Sequence, residues 1–261
     1  MSNRTDSEPI YAERYVAFID IPGFSEIVRN SISSAEQATE LVRILERISS
    51  RAEPLEFDKS HGDDFRAQSF SDCIVVSERA TQAGLEHLLF VVAQLQLDLL
   101  ANRILTRGGI AKGKLYHTDK IVLGPALITA YQLENTIAAY PRVIVDRATH
   151  EDYNKLDVAA LENKFTGIAP RLRYDEDGPV FADFLAPFRN LGTSPHRERL
   201  RVTAQSCHAA IQSQVNDSIY DPRIYKKLRW MALYWNGMSM SQGADCGLEH
   251  VKFPAMANLY Q

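Results

Sequence analysis

Cysteine is scarce in this chain and never closely spaced. Cys73, Cys207 and Cys246 form no Cys-x-x-Cys pair, which argues against a zinc knuckle or a disulfide framework and fits a reducing compartment. A basic excess is also lacking: 29 Lys and Arg face 33 Asp and Glu, for a net charge of −4, so long-range attraction to polynucleotides or anionic lipid is disfavoured. No apolar run reads as long and uninterrupted enough to span a bilayer, and the polar opening MSNRTDSEPIYAER has no signal-like apolar centre. Internal repeats and low-complexity tracts are missing too. The expectation left by these absences is a soluble, cytoplasmic globular protein with no nucleic-acid partner and no stable membrane association.

What is present is enough apolar material for a sizeable core, 45% of 261 residues, in one medium-sized domain with room for an appendage. The pattern predicts an N-terminal arm over 1–13, a main unit over 14–185 and a C-terminal helical extension over 186–261. YVAFID, 15–20, reads as a buried strand broken by Pro22 and Gly23. A short helix is expected from Phe24 to about Ser33, and a second over 34–50, where Ala38, Leu41, Val42, Leu45 and Ile48 recur at helical spacing. FRAQSFS and CIVVS read as a hairpin turning at Ser71 and Asp72, followed by a long apolar helix over 82–102. A strand over 104–116 is thinned by Gly108, Gly109 and Gly113, where a backbone or a ligand must come close. A turn holding His117, a strand at 121–123, a helix opening at Gly124-Pro125 and a strand at 142–146 come next, with helices near 197–216 and 221–237. This order predicts an α+β sandwich: a mainly antiparallel sheet with helices on one face.

Two aspartates in similar surroundings, Asp20 in YVAFIDIPGF and Asp72 in AQSFSDCIVV, each border an apolar run. Placed on neighbouring strands, such carboxylates make a divalent-metal site; taken singly, each is as well explained as a turn or strand-end cap. The turn after Asp20 leads into a helix start, where free N–H groups can hold phosphate oxygens and Gly23 permits close approach beside Phe24. Arg107 can reach a phosphate bidentately or form a surface salt bridge.

FIDIPGF and FSDCIVVS, with GPALITAYQLE, resemble the motifs of class III nucleotidyl cyclases over roughly residues 14–185, with Ser71 where most relatives have glycine. More narrowly, RGGIAKGKLYH followed by GPALITAYQLE resembles the pyrimidine cyclases of the Pycsar anti-phage defence system. The resemblance implies a ferredoxin-like core and a uridylate cyclase making 3′,5′-cyclic UMP as an antiviral second messenger. A cytidylate cyclase, an adenylate or guanylate cyclase and a catalytically silent nucleotide-binding domain are the alternatives. Two ions, Mn²⁺ or Mg²⁺, would be held by Asp20, Asp72 and the Ile21 carbonyl. The family's interfacial sites imply a homodimer, and the product would be read by a separate cyclic-nucleotide-binding effector.

Departures from that family bear on the base. Gln68 stands where purine cyclases have a lysine and Pro125 where they have an aspartate; Ile128 and Gln132 replace the Asn and Arg that stabilise the transition state. Gln68 both donates and accepts, which suits uracil or cytosine, and Phe70 or Phe65 can stack on the ring. Arg107, Arg66 or Lys114 would then supply the missing positive charge. His117 is not required by metal-assisted chemistry, Tyr131 reads as core, and YKKLRWMALYWNGM reads as an amphipathic helix packed on the domain or across a dimer.

Overall fold

The computed structural model describes residues 10–36, 38–39, 42–43, 64–157, 160, 169–191, 194, 196–241 and 248–254. Strand β1 (Ala12–Asp20) leads through a turn into α1 (Phe24–Ile32), and the hairpin β2 (Arg66–Phe70) and β3 (Cys73–Arg79) runs into α2 (Gln82–Ala101). Then follow β4 (Arg107–His117), β5 (Val122–Leu123), α3 (Pro125–Thr136), β6 (Val143–Val145) and α4 (Arg147–Tyr153). The chain continues through β7 (Leu172–Tyr174), β8 (Val180–Ala182), a 3-10 turn (Ala186–Asn190), α5 (Arg197–Asp217) and α6 (Pro222–Ser241). Strand order is β2-β3-β1-β4-β6-β8-β7, with β5 pairing the far end of β4. Only β4 and β6 run parallel among these pairs, so the sheet is mainly antiparallel, as expected. The helix expected over 34–50 lies mostly outside the described residues.

Alternation along β1 sorts the sheet's two faces. Tyr15, Ala17 and Ile19 pack with Ile74, Val76 and Ile110 beneath Leu85, Leu88, Val92 and Leu99 of α2. Val16 and Phe18 face the other way, with Val75, Ala111 and Leu115, against Ala126 and Ala130 of α3. The one-face arrangement expected from sequence is therefore corrected: α3 covers part of the opposite face. Gly109 makes this seating feasible, since a Cβ there would meet the Ala130 carbonyl oxygen at 2.2 Å and Leu133 Cβ at 2.7 Å.

Helix α2 is apolar all round because it is covered on both sides, by the sheet and by a second core that joins Leu97 and Leu100 to Phe184, Ile211, Met231 and Trp235. It has the length and hydropathy of a membrane span, contrary to the sequence reading that no segment does, but most of it is buried inside the protein. Thr81 starts it by accepting from the Gly84 N–H at 3.0 Å, and Asp146 starts α4 by accepting from Thr149 at 2.8 Å.

One buried cation ties the C-terminal helices to the sheet. The Arg142 side chain is fully buried, pairs with Asp175 and Asp177, and lies over the rings of Tyr140 and Trp230, which stack with centroids 5.6 Å apart. Trp230 also donates its indole N–H to Asp175 at 2.8 Å. The Arg142 carbonyl meanwhile accepts from Gly108 at 3.1 Å, at the start of β4.

Candidate active site

The register explains why residues far apart in sequence meet. Asp20 ends β1 opposite Cys73 on one side and Arg107 on the other, and residues directly opposite in an antiparallel pair project from the same face. The hairpin places Phe70 opposite Cys73, leaving Ser71 and Asp72 as the turn. Ser71 takes the left-handed conformation, φ 55°, which costs least for glycine. The Ile21 N–H donates to the Asp72 carbonyl at 2.9 Å, pinning that turn to the end of β1.

Ligand atoms of Asp20, Asp72 and Cys73 all lie within 4.8 Å of one another. Two carboxylates form an oxygen-rich set that fits a hard divalent ion, with a thiol beside it as a softer donor. The Cys73 thiol donates to Asp72 Oδ1 at 3.5 Å, and burial, reinforced by Asp72, pushes its pKa up to about 12. The Ile21 carbonyl accepts the Phe24 N–H at 3.1 Å and keeps a second lone pair. Gly23 adopts φ 81° at the start of α1, with nothing within 4 Å of where a Cβ would stand.

Arg107 bridges two carboxylates. Its Nε donates to Asp20 Oδ2 at 3.1 Å, and its Nη2 lies 2.7 Å from Glu134 Oε1 as an ion pair outside hydrogen-bond geometry. Glu134 projects from α3 with 4% of its side chain exposed. Burial raises its pKa, the Arg107 charge opposes that rise, and Asp20 and Asp72 add to it. Neither Glu134 nor Cys73 was singled out from sequence. A signal for Glu134 was present: it follows Ala126 and Ala130 at four-residue intervals, so a carboxylate falls on the buried stripe of α3 and needs a cation.

Arg66, Gln68 and Phe70 alternate along β2 onto the face that carries Cys73, Asp20 and Arg107. Arg66 donates to its neighbour's carbonyl, Phe65 O, at 2.9 Å. Gln68 Nε2 donates to the Thr118 carbonyl at 3.1 Å; because a carbonyl only accepts, the amide's orientation is set and Oε1 is turned elsewhere. Phe70 is 54% exposed.

Other expectations need correction. Phe65 is buried in the apolar layer under α2, edge-on to His87 at 5.3 Å, and cannot stack on a ligand at this face. The Phe24 ring packs into the same layer, and its N–H closes the turn after Asp20. Lys114 falls on the sheet face opposite Arg107, by the pleat of β4. His117, expected in a turn, is the buried last residue of β4. Its Nδ1 lies 2.8 Å from Ser77 Oγ, which accepts from Arg14 Nε at 3.0 Å, and burial next to Arg14 and Arg66 pushes its pKa down to about 4. Tyr131 meets Phe18 edge-on at 5.4 Å yet is 48% exposed, so it only borders the core. Ile128, Gln132 and Pro125 are exposed on α3.

No protein-family model matches the chain, and no curated protein is similar to it. Among solved structures it is similar to a class III adenylyl cyclase-like ATP-binding protein from Pseudomonas aeruginosa, with 14% identity and a TM-score of 0.37. The match covers 59% of this chain and 36% of the length of that protein.

Proposed function

We propose that this chain is a pyrimidine nucleotide cyclase that converts UTP to 3′,5′-cyclic UMP and pyrophosphate. The observation that carries the reading is the convergence of Asp20, Asp72 and Arg107 on the sheet face that also presents Gln68 and Phe70. Two divalent ions, Mn²⁺ or Mg²⁺, bound at Asp20, Asp72 and the Ile21 carbonyl would lower the pKa of the ribose 3′-hydroxyl and neutralise the triphosphate. Arg107 keeps Nη1 for a phosphate oxygen, and Gly23 leaves room for the triphosphate. Arg66 adds positive charge along β2. Phe70 offers a ring for stacking, and Gln68 turns its acceptor oxygen toward a base edge that carries a donor, as the uracil N3–H and the cytosine amine both do.

Since Ile128 and Gln132 leave α3 without the cation that the cyclase family carries there, the second copy of a head-to-tail homodimer would complete the site. Exposed Ile128 and Tyr131 on α3, and Leu123 on β5, give that copy an apolar surface to cover. A role in anti-phage defence, with the product read by a separate cyclic-nucleotide-binding effector, follows the motif resemblance of RGGIAKGKLYH and GPALITAYQLE. The same two side chains, Ile128 and Gln132, favour a second reading, nucleotide binding without turnover.

Incubation of the purified protein with each of the four triphosphates and Mn²⁺ tests both readings. Cyclic UMP with pyrophosphate supports the first, and cyclic CMP moves it to cytidylate. Product from ATP or GTP alone rejects the pyrimidine assignment, and binding without product favours the second reading. Asp20→Ala and Asp72→Ala are each expected to abolish turnover while leaving the melting curve cooperative; activity retained in either refutes the two-metal site.

A further inference from the structure

A guanidinium beside a carboxylate has a preferred arrangement: two parallel N–H donors on both carboxylate oxygens. Arg107 does not adopt it. Its Nε goes to Asp20 Oδ2 at 3.1 Å, while Nη2 is drawn to Glu134 at 2.7 Å. The edge of the fork is split between β1 and α3, and Asp20 keeps Oδ1 out of the ion pair. Oδ1 is what a cation shared with Asp72 needs.

We infer that Glu134 is a positioning residue that holds Arg107 off the cation-binding side of Asp20. The inference rests on the reading of Asp20 and Asp72 as metal ligands. Glu134 suits the task because it is buried and fixed: α3 is seated on the sheet through Ala126, Ala130 and the Gly109 contact, so its carboxylate cannot follow Arg107 if the arginine shifts. Without the Glu134 charge, Asp20, already bonded to Nε, is placed to take the freed Nη2 as well. Arg107 then closes bidentately on it, and a cation at Asp20 loses a ligand oxygen.

The test is Mn²⁺ binding to the full chain, followed by the electron paramagnetic resonance signal of free Mn²⁺, in the wild type, Glu134→Gln, Arg107→Ala and the double variant. Melting curves establish that each variant folds, and Glu134→Ala serves if the glutamine variant does not. Loss of an outer partner of this kind costs on the order of 10-fold in metal affinity, so Glu134→Gln is expected to bind Mn²⁺ about 10-fold more weakly than wild type. Arg107→Ala is expected to bind at least as tightly as wild type, and the double variant to match Arg107→Ala, because Glu134 acts only through the arginine. Equal weakening by Glu134→Gln with and without Arg107, or no weakening at all, overturns the inference. A wild type that binds no Mn²⁺ overturns the metal reading beneath it, a result distinguishable from the first two.

Discussion

Replacing Gly109 by alanine probes how the site is assembled. The added methyl group would stand 2.2 Å from the Ala130 carbonyl oxygen and 2.7 Å from Leu133 Cβ. An ordinary contact is roughly 3.5 Å, so α3 has to rise from the sheet by about 1 Å. The principal obstacle is main chain, and no side-chain rotation relieves it. Overpacking of this sort costs about 1–3 kcal/mol, or a fall of roughly 2–12 °C in Tm for a chain of this size. Glu134 rides on the same helix, so its 2.7 Å contact with Arg107 lengthens with the shift. The assay is a thermal melt paired with Mn²⁺ affinity. An alanine variant that melts and binds Mn²⁺ like the wild type would show that α3 is not seated through this glycine, and the account of Glu134 would lose its geometric support.

Three further outcomes are expected. His117, pushed down to about 4 by burial with Arg14 and Arg66 against a weaker opposing effect of Asp119, is neutral in the fold and protonates more readily when unfolded. Its contribution is complete above the unfolded pKa of about 6.5 and is lost as pH falls toward 4, a difference on the order of 3 kcal/mol. Urea titrations at pH 7 and pH 5 should therefore show a smaller loss for His117→Asn than for wild type, and an equal loss would refute the assignment. Ser71→Gly relieves the φ of 55° at the hairpin turn but frees the unfolded chain, for a net gain of about 0.5 kcal/mol by thermal melting with unchanged Mn²⁺ affinity. Arg142→Met leaves Asp175 and Asp177 without their cation and should cost about 3–5 kcal/mol, read by denaturant titration with Trp fluorescence, whereas a change under about 1 kcal/mol would discount the buried pair.

The strands and the acidic pair were legible because they lie on strong local patterns. YVAFID has the composition of a buried strand, and a two-residue turn between FRAQSF and CIVVS leaves little freedom in where Asp72 falls. Sheet face was harder, since a change of one residue reverses it. Phe65 and Phe70 were equal candidates for stacking until the register put one under α2 and the other beside Cys73. The same parity removed Lys114 and kept Arg107. His117 was misplaced because β4 runs on through it into a tight hairpin with β5, a pairing that HTDK does not announce. Short elements such as α4 and β7, of 7 and 3 residues, carry too little periodicity to stand out. Glu134 needed α3 to be placed on the sheet before its carboxylate could be seen to face Arg107.

Arg142 has its main chain bonded to β4 and its guanidinium wedged beneath a ring of α6. A recombinant fragment stopped at residue 185, where the sequence drew its boundary, would strip away Trp230 and the greasy covering of α2 together, leaving Arg142 with only Asp175, Asp177 and Tyr140 about it and an oily helix in water. Insoluble material, rather than a minimal folded unit, is the expected yield from such a truncation, and expression designs should keep the chain through at least Ser241.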